Sequence, residues 1–337
     1  MARYKNFGVK TFQAEDEIAA MCAVIGASFG GAFAATGTSG PGMALKGEAM
    51  GLAVMLELPC LIVNVQRGGP STGLPTKTEQ SDLFQGFYGR HGDCPLPILA
   101  ACSPSDCFWM SIEAFRIAVK YMTPVLLLSD GYLGNGAEPM QVPKVEDLPV
   151  IEVKHPDDPT AFQPYARDAN LARPWAIPGT PGLAHRIGGL EKEHLTGDVS
   201  YDPLNHQRMS ELRAEKIRRV ADSIPDQTVF GDSEGDLLVV SWGGVFGAAR
   251  TAVERTRRRG FSVSHAQIRY LNPFPKNLSD VLSRFKKILV PELNLGQLSA
   301  ILRSKYLIDP AEQWKVQGRP FSASEIANKI EQIIAEE

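Results

Sequence analysis

The sequence contains five cysteines and no CxxC pair. Zinc and iron–sulfur sites usually announce themselves through such close pairs, so any metal cluster serving this chain is expected on another one. Cys22, Cys60, Cys94, Cys102 and Cys107 form an odd set, and the five-residue step from Cys102 to Cys107 is loose for a ligand pair. They read as structural or incidental thiols of a reducing compartment. No run of about 18 apolar residues occurs, which argues against a membrane-spanning helix. The longest apolar stretches, such as Pro124 to Leu128, have the length of buried strands. Positive charge is not in excess either. The 35 Lys and Arg face 38 Asp and Glu, a net charge of −3 that draws the chain to neither nucleic acid nor anionic membrane. Met1 to Lys10 carries charges and lacks the apolar centre of a secretory leader. The expected location is the cytoplasm.

What is present is a chain of 337 residues, enough for two domains at about 150 residues each. Its first 140 residues alternate between helical and strand patterns. Glu15 to Phe29 has apolar residues at helical spacing, with Glu15, Asp16 and Glu17 in the first turn, where negative charge favours the helix dipole. A small-residue stretch leads to the loop Thr38-Ser39-Gly40-Pro41-Gly42. Helices are expected over Met43–Leu56, Thr78–Gln85 and Ser105–Tyr121, and strands over Cys60–Val65, Pro97–Ala101 and Val125–Ser129. Such alternation predicts a parallel sheet with helices on both faces, whose ligands gather at the carboxyl ends of the strands.

From Leu133 to about His206 the pattern dissolves into recurring Pro and Gly. A structureless connection this long is uncommon unless it wraps a surface, and a wrapping linker is expected. A charged helix, Gln207–Ser223, follows. The last third reads as a second α/β unit. Its strands are Leu237–Trp242, Ser262–Ile268 and Ile288–Val290. Its helices are Val245–Arg258, Leu295–Ser304 and Ser324–Glu336, the last with Ser324 as its N-cap. The basic run Arg255–Arg259 ends a helix before Gly260, where cations favour the dipole and solvent.

Three segments carry chemistry. The Gly-rich stretch Thr36 to Gly42 lacks the closing Lys-Ser/Thr of a P-loop and the spacing of a dinucleotide fingerprint. Its glycines, Gly40 among them, let backbone approach a ligand, and Thr38 and Ser39 offer hydroxyls. A purely structural turn reads equally well. Gln66 to Thr76 follows an apolar strand, placing Arg67 at a strand's carboxyl end. There a guanidinium suits a substrate carboxylate held by two parallel bonds, or it bonds to loop carbonyls. Glu17 is followed by Ile18, Ala19, Ala20 and Met21, so one acid of this turn is expected to be partly buried. A carboxyl in an apolar cleft exchanges a proton near neutrality; a solvated first-turn Glu is the plainer alternative.

With these residues in place, a resemblance emerges. Phe12-Gln13-Ala14-Glu15-Asp16-Glu17-Ile18-Ala19-Ala20, Thr38 to Gly42 and Gln66 to Thr76 resemble the alpha subunit of 2-oxoacid:ferredoxin oxidoreductases, nearest the 2-oxoglutarate branch. Arg90 to Asp93, Pro178 to Arg186, Asn205 to Met209 and Glu292 to Leu298 fit the same family, and the likeness runs through the whole chain in order.

The resemblance implies an α/β fold. A thiamine diphosphate-binding, pyrimidine-type domain would occupy residues 1–145 and a wrapping linker and helix residues 146–230. A smaller domain like the carboxyl-terminal domain of transketolase would occupy residues 231–337. It places the family's pyrimidine glutamate on Glu17, its substrate-carboxylate residue on Arg67, and the pyrimidine side of the cleft on Thr38, Ser39 and Gly40, with Thr38 also near substrate. Glu17 would favour the cofactor tautomer that removes the thiazolium proton. The implied reaction is oxidative decarboxylation of a 2-oxoacid, foremost 2-oxoglutarate, to an acyl-coenzyme A, carbon dioxide and reduced ferredoxin. A transketolase-like or dehydrogenase-type thiamine subunit, or a non-catalytic scaffold, are the alternatives.

The diphosphate, Mg2+ and a [4Fe-4S] cluster would belong to a beta subunit and other chains, since no GDG motif followed by a suitable Asn occurs here. Relatives also carry a Tyr-Pro-Ile-Thr-Pro-like segment tens of residues before the Glu17 motif. The sequence starts too late to hold it, so it is expected on another chain or lost by truncation.

Overall fold

The structure, a computed structural model, describes residues 7–336. Of Met1 to Lys10, on which the expectation of no secretory leader rests, residues 1–6 lie outside the described residues. No helix of the described residues is long and apolar enough to cross a membrane.

The amino-terminal unit contains α1 (Glu17–Phe29), β1 (Ala34–Thr38), α2 (Gly40–Leu45), α3 (Gly47–Leu56), β2 (Cys60–Gln66), α4 (Leu83–Tyr88), β3 (Ile98–Ala100), α5 (Pro104–Tyr121), β4 (Pro124–Asp130) and α6 (Gly131–Asn135). After a long irregular segment come α7 (Pro203–Arg219), β5 (Gly235–Trp242), α8 (Phe246–Arg258), β6 (Val263–Ile268), β7 (Tyr270–Asn272), α9 (Leu278–Ser283), β8 (Phe285–Glu292), α10 (Gln297–Tyr306), β9 (Ala311–Trp314) and α11 (Ala323–Ala335).

The first sheet runs β1-β2-β4-β3-β7 and the second β6-β5-β8-β9. All ladders are parallel except β3 with β7. The expected parallel α/β architecture is therefore present. Period-two alternation explains the layers. Cys60, Ile62, Leu126 and Leu128 face α1 and α3, whereas Leu61, Val63, Val125 and Leu127 face α5. Each fully buried Leu in these layers contributes about 1.5–3 kcal/mol.

Several boundaries depart from expectation. Gly40 to Gly42 is the first turn of α2 rather than loop, because Pro41 is well suited to that turn. The single helix expected over Met43–Leu56 is divided at Lys46 into α2 and α3. Thr78–Gln80 is not helical, and α4 begins only at Leu83, since Thr78 and Gln80 spend their polar groups on distant partners. The charged helix starts at Pro203, capped by Asp202. Ser322, not Ser324, caps α11, because Glu325 three residues on closes a capping box with it. The short strands β7 and β9 went unread.

Between Asn135 and Pro203 the described backbone holds no regular element beyond a 3-10 turn at Val145–Asp147 and an isolated antiparallel bridge between Lys192 and Val199. This segment packs against α1 and the end of α3. Trp175 donates to the Ser28 carbonyl over 2.9 Å, and Arg173 donates to those of Leu56 and Glu57 at 3.0 and 3.1 Å.

Candidate functional site

In a parallel sheet the helix preceding a strand runs back, so its amino terminus lies over the strands' carboxyl ends. Thus α1 delivers its first turn to the end of β1. Asp16 caps the helix by accepting from the Ala19 N–H over 2.7 Å, which turns its carboxylate onto the backbone. Of the three acids, Glu15 and Asp16 are exposed and Glu17 is half-buried. The partly buried acid is therefore the one on which the resemblance falls.

Thr38 ends β1, opposite Asn64 of β2, and α2 turns back immediately after it. Gly42 on that turn makes the close approach possible. A Cβ there would stand 2.1 Å from Thr38 Oγ1, 2.6 Å from Glu17 Cγ and 3.0 Å from Glu17 Oε1. Thr38 and Glu17 thus converge on one glycine. Gly40 serves Asp82 similarly, since its Cβ would lie 2.7 and 2.8 Å from the carboxylate oxygens. Ser39 is half-buried and its hydroxyl caps nothing.

Arg67 follows β2 and is half-buried. Its Nε is buried with no hydrogen-bond partner, so the alternative in which it ties up loop carbonyls is not what this nitrogen does. Asp82 is its acidic neighbour. Burial raises the Asp82 carboxyl above the usual carboxylate range. The Asn64 hydrogen bond opposes this, Glu79 reinforces it, and the Arg67 guanidinium pulls the other way. Asn64 Nδ2 donates to Asp82 Oδ2 over 3.0 Å, and the Asp82 N–H donates to Gln66 Oε1 over 3.1 Å. Arg67 therefore joins the group electrostatically, through Asp82, whose carboxylate packs against Gly40.

Asn64, Asp82 and Lys46 escaped the sequence reading. Asn64 and Gln66 were the visible signal, two amides in an otherwise apolar strand and both buried. Lys46 left none, because only the fold buries it. Cavities of about 500, 540 and 570 Å3 lie elsewhere, and none is lined by Glu17, Thr38, Ser39, Gly40 or Arg67. The converging groups lie outside all three.

Two family models match the chain. One, described as pyruvate flavodoxin/ferredoxin oxidoreductase, thiamine diphosphate-binding, covers residues 1–199. The other, pyruvate:ferredoxin oxidoreductase core domain II, covers residues 235–309. The 2-oxoglutarate oxidoreductase subunit KorA of Mycobacterium tuberculosis is 55% identical over 99% of this chain and 51% of its own length. Among solved structures, 2-oxoglutarate:ferredoxin oxidoreductase from Magnetococcus marinus, with 2-oxoglutarate, coenzyme A and succinyl-CoA bound, superposes with a TM-score of 0.95. It is 39% identical, over 98% of this chain and 58% of that one. A split-gene transketolase, an inactive beta4 tetramer, aligns over 93% of this chain and 79% of its own. Its TM-score of 0.50 and 12% identity make that a likeness of fold alone. The chain spans about half the length of the mycobacterial relative.

Proposed function

The chain belongs to the thiamine diphosphate-binding pyruvate flavodoxin/ferredoxin oxidoreductase family, and from that membership we propose that it is the alpha subunit of a 2-oxoacid:ferredoxin oxidoreductase. Its substrate is 2-oxoglutarate or a close relative. With coenzyme A and two oxidised ferredoxins, 2-oxoglutarate gives succinyl-coenzyme A, carbon dioxide, two reduced ferredoxins and a proton. The ligands named for the Magnetococcus marinus relative support that choice.

Thiamine diphosphate suits the residues present on one observation, which also carries the reading: Gly42, lacking a Cβ, lets the Thr38 hydroxyl and the half-buried Glu17 carboxyl close on one another at the carboxyl end of β1, the acid and hydroxyl that would meet the pyrimidine ring. Bound there, the cofactor supplies a nucleophilic carbon for the 2-oxo group and a sink for the electrons left by carbon dioxide. Glu17 holds a proton at the pyrimidine nitrogen, on a rigid first helical turn that fixes its direction. Thr38, Ser39 and the backbone at Gly40 line the pyrimidine side, and Thr38 reaches toward substrate. Arg67 offers its unpartnered Nε and the rest of its fork to the substrate's carboxylate. Asp82 and Asn64 orient that fork.

A beta subunit supplies the diphosphate site with its Mg2+, and a [4Fe-4S] cluster on a partner relays electrons to ferredoxin. The half-buried position of Glu17 outside the three cavities supports such a shared site. Residues 1–145 form the pyrimidine-type unit, residues 146–230 the wrapping segment and residues 231–337 the transketolase carboxyl-terminal-like unit. The enzyme works in the cytoplasm, a reading supported by five free thiols.

The test is co-production with the beta subunit, followed by reduction of a low-potential dye. Reduction that requires both 2-oxoglutarate and coenzyme A supports the reading, and Glu17→Gln should lower it by roughly 100-fold or more. Equal turnover in the two proteins removes Glu17 from the chemistry. Ketol transfer to a sugar without dye reduction would favour the transketolase-like alternative.

A further inference from the structure

The Glu292 to Leu298 segment and the buried Gln80 have no part in the chemistry above, yet they meet where the loop that follows Arg67 ends. Arg67 stands at the neck of a closed loop. The Gly68 N–H donates to the Lys77 carbonyl over 3.0 Å, and the Leu74 N–H to that of Gly68 over 2.8 Å. Gly73, with φ of +51°, seals it, since a Cβ there would lie 2.0 Å from the Gly68 oxygen. A loop closed at its neck moves as one piece, so the direction of Arg67 depends on what holds the chain's exit end just past the neck.

That end is Gln80, which has no exposed surface. Its backbone N–H donates to the Leu293 carbonyl over 3.1 Å. Its carbonyl accepts from Asn294 Nδ2 over 2.8 Å, its Nε2 donates to the Trp242 carbonyl over 2.7 Å, and its Oε1 accepts from the Leu293 N–H over 3.0 Å. All four partners belong to the second unit. The socket is organised before Gln80 enters it. Asn294 Oδ1 accepts from the N–H groups of Gly296 and Gln297, both at 2.9 Å. Buried Glu292 accepts from Leu298, Ser299, Asn294 and Trp242. Gly243 completes the fit, because a Cβ there would lie 2.6 Å from Gln80 Nε2.

The other flank of Arg67 is held from the same side. Gln297 donates to the Ser81 carbonyl over 2.8 Å and accepts from the Phe84 N–H over 2.9 Å, which brackets Asp82. At the loop's neck Gly318 leaves room for Lys77, whose Cβ would be 2.9 Å from a Cβ at that glycine.

We infer that Gln80 and Gln297 are positioning residues through which the second unit sets the direction of Arg67 and hence the affinity for the substrate's carboxylate. The inference rests on the proposed 2-oxoacid activity for its substrate, and on the hydrogen bonds alone for its mechanics. It assigns the second unit a part in recognition, exercised through its hydrogen bonds to Gln80, Ser81 and Phe84.

The experiment compares wild type, Gln80→Leu and the milder Gln297→Ala in the complex with the beta subunit. Amide hydrogen exchange is followed over residues 67–82, together with KM for 2-oxoglutarate, KM for coenzyme A and thiamine diphosphate affinity. Both variants should exchange faster over residues 67–82 with β2 and β4 unchanged, and raise KM for 2-oxoglutarate roughly tenfold. Cofactor affinity and KM for coenzyme A should stay within about twofold. Unchanged exchange overturns the inference, and so does a rise spread evenly over the chain, the signature of general destabilisation. Should Gln80→Leu not fold, Gln297→Ala decides by the same criteria. If wild type turns over no 2-oxoacid, the proposed activity and the substrate part of the inference fall together, and the exchange data still judge the mechanics.

Discussion

Lys46 Nζ donates to the carbonyl oxygen of Glu17 over 3.2 Å, and the lysine has no exposed surface. Burial lowers the ammonium's pKa, while the charges of Glu17 and Asp16 oppose the shift. The bond fastens the α2–α3 junction to the first turn of α1. In Lys46→Met the stem remains and the donor and charge go. Stability should change by no more than about 1 kcal/mol, because losing the bond is offset by relief of a buried charge. Turnover should fall roughly tenfold as Glu17 loses its anchor. Thermal melting and turnover of the same preparation check the split; unaltered turnover would show that the anchor is idle.

Arg67→Lys keeps the charge and loses the planar fork. Since the Nε of Arg67 is buried without a partner, KM for the 2-oxoacid should rise by roughly 10- to 100-fold, with a smaller change in kcat. Steady-state kinetics at saturating coenzyme A measure it. A KM within twofold of wild type would release Arg67 from its role.

Glu57 carries the principal electrostatic liability of the core. Its carboxylate is bonded by Arg167 and by Lys216, and all three side chains are nearly inaccessible. Burial alone would raise the Glu57 carboxyl, but Lys216 and then Arg167 pull it down to about 2. Glu57→Gln leaves two buried cations without their anion and should cost about 3–5 kcal/mol in denaturant unfolding. The sign of the pH effect follows from the depressed value. The stabilisation is complete above the ordinary value of 4.5 and drains away as pH falls toward about 2. The variant should lose that part of the acid dependence.

His265 acts in an adjoining range. It is buried at the β5–β6 ladder, where its Nε2 donates to Ser241 Oγ over 2.8 Å and Ser241 donates to Gln267 Oε1 over 2.6 Å. Burial, and then Arg250, lowers its pKa to about 3. The fold holds it neutral, whereas the unfolded chain protonates it below about 6.5. Acidification from pH 6.5 to 3 should therefore destabilise the protein, and His265→Gln should flatten that slope. Melting temperatures across the range provide the check; an identical slope in the variant would remove His265 as its source.

The layers were legible because β2 and β4 alternate between two apolar faces and α1 and α5 keep helical spacing. Glu17 could be singled out because apolar residues follow it, and Arg67 because an apolar strand precedes it. Thr78 to Gln80 looked helical because the groups that prevent it, Asp130, Trp242 and Asn294, lie 52 to 214 residues away. Lys46 and Asp82 acquire meaning only when folding brings Glu17 and Arg67 to them. The cap of α11 is a different kind of miss. Ser322 and Glu325 have the three-residue spacing of a capping box in the sequence itself, and that reciprocal pair selects Ser322 over Ser324.

The pairing of β7 with β3 bears on how this chain can be handled. Tyr270 and Asn272 sit opposite Leu99 and Ile98, the Ala100 N–H donates to the Arg269 carbonyl over 2.8 Å, and Asn272 Nδ2 donates to the Leu96 carbonyl over 2.8 Å. The proposed boundary near residue 230 thus follows the order of the polypeptide and cuts across its stitching. A recombinant piece ending there would bare one side of β3, and unclosed strand edges recruit their own kind. Anyone dividing this protein for isotope labelling or crystallisation should expect the first piece to be sticky unless residues 269–272 travel with it.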